Sequence, residues 1–206
     1  MRVAGIPLGV GTVQAQLITV LDCPFNTASG LNELSGHDPV FTNYGNPTVS
    51  TTYDAAGALT LNGSQSLTTK TDTIYSLDDK DFSIKCDVYV ATGSDYYSRF
   101  IGQRLNSPYA PFEVFSEADG LLLAIVRFTD STEYRSAGVA IRNQWQTVEV
   151  KRVGDNFSLI LDDVVVDTEN HAGKTVNPYS QFTFGMAGVG TWFVTGAMRN
   201  VKIKIG

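Results

Sequence analysis

The 206-residue sequence is poor in charge. Asp, Glu, Lys and Arg make up 17% of it, with 21 acidic against 15 basic residues and a net charge of −6. A disordered chain or a coiled coil carries much more charge. A nucleic-acid binder concentrates Lys and Arg instead, because phosphate must be neutralised. Long apolar runs are also missing. The longest, Leu121 to Val126, falls far short of the roughly 20 residues of a membrane span. Two cysteines, Cys23 and Cys86, are too few for a disulfide framework or a cysteine metal site. They allow one bridge or two buried thiols. No Gly-x-Ser-x-Gly occurs, and that is the turn an activated serine needs. His37 and His171 lie in polar stretches, where exposed loop positions are expected rather than bases or zinc ligands. At the start of the chain, Gly5, Pro7, Gly9 and Gly11 break the apolar stretch. The segment therefore reads as an arm of the mature protein, not as a signal peptide.

What is abundant is turn-forming and strand-forming residues: 19 Gly, 7 Pro and many Thr, Ser and Asn. Short alternating runs predict strands over Gln16–Phe25, Pro39–Thr42, Pro47–Thr52, Ala58–Leu61, Ser66–Thr69, Phe82–Val90, Tyr97–Gly102 and Phe112–Phe115. Further runs follow at Leu121–Phe128, Tyr134–Ile141, Gln146–Val153, Phe157–Leu161, Val164–Val166, Phe182–Phe184, Thr191–Val194 and Ala197–Ile205. Phe82, Ile84, Cys86, Val88 and Val90 share one face, so Cys86 is expected inward as a buried thiol. Asn43-Tyr44-Gly45-Asn46 reads as a turn. Asn62-Gly63 reads as a hairpin turn with Ser66–Thr69 as the return strand. Nothing shows sustained helical periodicity. The expected fold is all-β, a two-sheet antiparallel sandwich, with an arm at 1–14 and one domain at 15–206.

The order of several segments resembles the concanavalin A-like lectin/glucanase superfamily in its laminin G-like branch. The pieces are Leu21-Asp22 before Phe25, Leu61-Asn62-Gly63 with Leu67, and Asp81-Phe82-Ser83-Ile84. Then come Trp145, Val148, Val150 and Arg152, the hairpin Leu159-Ile160-Leu161-Asp162-Asp163, and Phe184-Gly185 followed by Phe193, Gly196, Val201 and Ile203. The resemblance implies a jelly roll over about residues 15–206, with Trp145 as a core tryptophan. Asp162-Asp163 stands where Asp-Gly is usual, and Arg199 where an acid is common.

Such a fold carries many functions. The glucanase branch needs two Glu and an Asp alternating on one strand, and no such run exists here. Asp78, Asp79 and Asp81 read as a solvated turn, and Asp162-Asp163 as a hairpin cap. Many relatives hold calcium through loop oxygens. A structural calcium is thus the one cofactor the resemblance allows, with Asp22, Asn26, Asp54 and Asn170 of the right type. For sugar stacking the candidates are Tyr96, Tyr97, Tyr109 and Trp192; the alternative is that Tyr97 and Trp192 pack at sheet edges and Tyr96 merely faces solvent. For assembly the candidates are Val3, Ile6, Pro7 and Leu8. The expected function is that of a non-enzymatic bacteriophage virion protein, in the tail or as capsid decoration. It would sit on the particle surface in a symmetric assembly with other virion proteins, and contact host glycans. The alternative is an extracellular lectin-like module. A glycan hydrolase, nucleic-acid binding and a membrane span are not expected.

Overall fold

The computed structural model describes residues 16–37, 41–62, 64–92, 98–103, 110–117, 120–140, 142–185 and 195–206. The arm 1–14, with Val3, Ile6, Pro7 and Leu8, lies outside them. In chain order the first strands are β1 (Ile18–Cys23), β2 (Thr42–Tyr44), β3 (Thr48–Ser50), β4 (Ala58–Asn62), β5 (Ser66–Thr68), β6 (Phe82–Val90), β7 (Ser98–Gly102) and β8 (Phe112–Ser116). There follow β9 (Leu121–Arg127), β10 (Glu133–Val139), β11 (Trp145–Val153), β12 (Asn156–Leu161), β13 (Val164–Asn170), β14 (Thr183–Phe184) and β15 (Thr195–Ile205). One sheet runs β13-β12-β11-β6-β15-β4-β3, with β1 also on β15, and the other runs β10-β9-β8-β7-β14-β5-β2. All pairs of these strands are antiparallel. The protein is an all-β jelly-roll sandwich, as expected.

Alternation explains the interior. Phe82, Ile84, Cys86, Val88 and Val90 of β6 are all buried. They meet Phe100, Phe112, Val114, Leu122, Ala124 and Val126 of the opposite sheet in one apolar cluster. Phe82 and Phe112 cross the gap edge to face, with centroids 6.4 Å apart, a geometry that adds about 1 kcal/mol to the burial itself. Cys23 and Cys86 are both free and buried. Arg152, the last residue of the resemblance segment on β11, is also inward and 4% exposed. Its guanidinium donates to the carbonyls of Gly154, Asp78 and Lys174 at 2.8, 2.9 and 3.2 Å. It also lies 5.2 Å from the Phe157 ring centroid. A buried cation is tolerable only when its donors are satisfied in this way.

Three expectations need correction. Trp145 is not in the core: on β11 it is Gln146, Val148, Val150 and Arg152 that face inward, so Trp145 points out. Asn62-Gly63 does not join a hairpin. β4 pairs with β3 and β15 while β5 pairs with β2 and β14 in the other sheet, so the chain crosses between layers here. Likewise Asn43 and Tyr44 belong to β2, and the following turn carries β2 to β3 across the sandwich.

These crossings pack on one another. A Cβ on Gly45, at φ +66°, would lie 2.2 Å from the Ser64 carbonyl oxygen, and Gln65 Nε2 donates to the Asn46 carbonyl at 3.1 Å. A Cβ on Gly185, at φ +91° after β14, would lie 2.6 Å from Leu61 Cδ2 and 2.8 Å from the Gln65 carbonyl oxygen. Both positions thus need glycine for conformation and for space. At the opposite side, β13 forms the free edge of its sheet and exposes Val164, Val165 and Val166, while Val139 of the neighbouring edge strand β10 is 70% exposed.

Gly45→Ala and Gly185→Ala are each expected to cost about 1–3 kcal/mol. Gly30→Ala, also at positive φ but with no atom within 4 Å, should cost less. Urea midpoints rank the three. The second expectation concerns alkaline pH. Burial pushes the Cys23 and Cys86 thiols and the Tyr75 hydroxyl well above their ordinary values, and pushes Tyr134 up to about 12. The unfolded chain releases these protons first, so stability falls as pH rises above the ordinary thiol range. Chemical denaturation across pH 7 to about 11 reads that decline. Over the same range below the transition, both thiols should resist alkylation.

Candidate functional site

The four aromatic residues that the sequence offers for sugar stacking, Tyr96, Tyr97, Tyr109 and Trp192, lie outside the described residues. The polar constellation that the structure does describe is on the outer face of the larger sheet, where β11, β6, β15 and β1 run side by side. Register lines the side chains up in rows. Trp145 is opposite Tyr89, Thr147 opposite Asp87, and Asp87 opposite Arg199. In the next row Glu149 is opposite Lys85, Lys85 opposite Lys202, and Lys202 opposite Asp22.

The first row is aromatic. The Tyr89 and Trp145 rings meet at 5.6 Å, and Tyr53 stacks at 4.8 Å on Tyr89. Trp145 Nε1 donates to the Tyr53 carbonyl at 3.2 Å. The Arg199 guanidinium carbon sits 4.3 Å from the Trp145 ring centroid, a cation–π contact of about 1 kcal/mol. Arg199 also pairs with Asp54 and, at 3.3 Å, with Asp87. Asp87 in turn accepts from Thr147 Oγ1 and Asn200 Nδ2, each at 2.8 Å.

A β-bulge makes this cluster. Between Arg199 and Lys202 the register on β6 shifts by one residue, with Asn200 at φ +51°. Arg199, Asn200 and Lys202 therefore all reach the outer face while Met198, Val201, Ile203 and Ile205 stay inward. Re-aiming a side chain in this way is what bulges do beside functional sites. The result is an open cleft of ≈ 320 Å³ lined by Asp22, Lys85, Asp87, Asn200 and Lys202. Lys85 pairs with Asp163 and Lys202 with Asp22, each at 2.9 Å. The hydrogen bond that Lys85 Nζ donates to the Asp163 carboxylate raises the lysine pKa above its ordinary value.

The remaining sequence candidates are dispersed. Asp22 and Asp54 are taken up by Lys202 and Arg199. Asn26 Oδ1 accepts the Ala28 and Ser29 backbone N–H groups, and Asn170 Nδ2 donates to Asn156. Among the described residues no group of three or more His, Cys, Asp or Glu side chains is placed to hold a metal. Asp81 accepts the Gly154 N–H, and Asp162 the Thr147 N–H. Asp162 and Asp163 turn the β12–β13 hairpin at φ +49° and +62°. These are turn duties, as the sequence indicates. His37 is exposed. His171 lies in the loop after β13, as expected, but is half-buried rather than exposed: its ring packs against Phe128, Tyr134 and Phe157 with centroids 4.9 to 5.9 Å apart, and its Nε2 lies 3.0 Å from Glu169.

No protein-family model matches the chain, and no curated protein matches it. Solved structures do. The receptor binding domain of botulinum neurotoxin C/D mosaic serotype aligns with a TM-score of 0.71 at 13% identity, over 90% of this chain and 47% of that one. The botulinum neurotoxin serotype G binding domain aligns with a TM-score of 0.72 at 12% identity, over 90% and 47%. The receptor binding domain of botulinum neurotoxin D gives 0.71 at 13% identity, over 90% and 48%. The chain spans about half the length of the solved structures it matches. At such identities the likeness establishes the sandwich fold.

The other sheet carries a second ionic cluster of a different kind. On β8 and β9 the side chains pointing away from the main core are Glu113, Phe115, Leu123, Ile125 and Arg127. Phe115, Leu123 and Ile125 form a separate buried apolar group. Glu113 is 1% exposed, and lies 2.8 Å from Arg99 Nη1 and 3.0 Å from Arg127 Nη1. Arg127 continues the line to Glu133 at 3.2 Å. Removing the central charge takes away the carboxylate 2.8 Å from the buried Arg99 guanidinium and one of the two carboxylates that Arg127 meets. Glu113→Gln is therefore expected to cost about 3–5 kcal/mol, read as a lowered urea midpoint at pH 7, with a smaller loss for the half-exposed Glu133→Gln.

Proposed function

We propose that this chain is a non-enzymatic attachment module that holds a glycan-bearing surface through the outer face of its larger sheet. Its setting is a bacteriophage particle, where it serves in the tail or as capsid decoration. The observation that carries the attachment reading is the patch formed by Trp145, Arg199, Asp87 and Asn200 beside the open cleft. A sugar presents paired hydroxyls and an apolar ring face. Recognition needs carboxylate acceptors next to amide or ammonium donors, with aromatic carbon close by. The carboxylates here are each held by a cation, Asp22 by Lys202, Asp54 and Asp87 by Arg199, and Asp163 by Lys85. That arrangement suits holding rather than proton transfer. The matched solved structures include receptor binding domains of botulinum neurotoxins, which supports a binding role. The laminin G-like order of segments and the apolar arm 1–14 support the virion setting, with Val3, Ile6, Pro7 and Leu8 as contacts to neighbouring virion proteins.

The test is retention of the purified chain on an array of bacterial and animal surface polysaccharides. Saturable retention without cleaved product is expected, and Arg199→Ala should weaken it about tenfold or more. Tyr96→Ala and Trp192→Ala belong beside it. Retention that survives Arg199→Ala but is lost with either aromatic variant moves the site away from Arg199, and absence of retention on every polysaccharide removes the reading.

A further inference from the structure

We infer that the cleft between β6, β15 and β1 selects neutral hexopyranose glycans and discriminates against sialylated, uronic or sulfated ones. This rests on the attachment reading above and adds the ligand class.

Three observations carry it. First, the charge on the cleft wall cancels. Two ammonium groups, Lys85 and Lys202, face two carboxylates, Asp22 and Asp87, with Asn200 as the amide between them. Each ammonium already has a carboxylate at 2.9 Å. An anion entering would compete with Asp163 and Asp22 for those cations while meeting Asp87, so it gains little, and the net charge of −6 opposes its approach. A hydroxyl group both donates and accepts. It can give its proton to a carboxylate oxygen and receive one from Asn200 or Lys202, leaving the ion pairs standing.

Second, the site breaks a local rule. Lys85 and Lys202 are direct cross-strand partners, and like charges in that relation destabilise a sheet. Such a departure from a locally favourable choice is typical of functional sites. Beside it Asn200, a residue that tolerates the left-handed region, holds the exposed bulge at φ +51°. Third, the bulge leaves Asn200 pinned through Nδ2 to Asp87, so its carbonyl oxygen and the remaining Nδ2 proton are fixed in direction before any ligand arrives. Pre-orientation of this kind reduces the entropy cost of binding.

Titration calorimetry of the full chain tests this, with neutral gluco-, galacto- and manno-oligosaccharides against their sialylated, uronic and sulfated counterparts, at low and high salt. Binding of a neutral oligosaccharide that is insensitive to salt is expected. Asn200→Asp and Lys202→Ala should each weaken it about tenfold, the effect of one hydrogen bond to a ligand hydroxyl. Lys151→Ala, on the same face but outside the cleft, should leave it unchanged. Both cleft variants change exposed or half-exposed side chains, and an unaltered melting transition verifies that they fold. Preference for an anionic glycan with affinity that falls as salt rises overturns this inference and leaves the attachment reading standing. Neutral binding that both variants retain at full strength places the sugar elsewhere and overturns it as well.

Discussion

The strict alternation of sides along a strand governs this molecule. Two sheets close over an apolar interior, so each strand residue is committed to the core or to the outside by its position alone. β6 obeys this without exception, burying its five odd-spaced apolar residues and sending Ser83, Lys85, Asp87 and Tyr89 outward. Every polar feature of the outer face follows from that phase. One of the register shifts in the sheets, the bulge on β15, is where the face acquires its amide and its extra cation. The site is thus a local change of phase between β6 and β15, and the core residues Val201 and Ile203 resume the pattern immediately after it.

The two ionic clusters show how differently one kind of interaction can be used. On the smaller sheet Glu113 is nearly inaccessible and bonded from two sides by arginines, so its role is to fix strand positions in a low-dielectric setting. On the larger sheet the pairs are partly or fully exposed, and Lys85 with Asp163 adds little to stability in water. What they provide is a surface whose polarity is set but whose side chains remain within reach of a ligand. Arg152 represents a third use. Its charge is spread over three carbonyl oxygens from Gly154, Asp78 and Lys174, so one side chain ties together loops distant in sequence.

The fold class and most strands were legible because alternation and turn residues are local signals. The phase of β11 was legible as well. Val148, Val150 and Arg152 share parity, and Trp145 does not, so spacing alone points the indole outward against what the family resemblance implies. The bulge left a trace too, since Met198 to Val201 spans three positions where Val201 to Ile203 and Ile203 to Ile205 span two. Asn62-Gly63 was misleading for a physical reason. A tight-turn dipeptide specifies a reversal of direction, and a reversal serves equally to cross between layers. Which of the two occurs is decided by the partners β3, β15, β2 and β14, all distant in sequence. The constellation of Tyr53, Asp54, Asp87, Trp145 and Arg199 has the same character, since it exists only once register has brought four segments together.

The free edge of β13 carries one more implication. A strand with three adjacent exposed valines and, among the described residues, no hydrogen-bonded partner beyond β12 is a template for another chain's backbone. The same strand continues into Asp167 and Glu169, and its hairpin opens on Asp162 and Asp163. Like charges stacked on an approaching copy keep two such margins apart. Among the described residues this margin is guarded by carboxylates rather than by a covering strand, so neutral side chains in their place would open a route to edge-to-edge pairing of two copies.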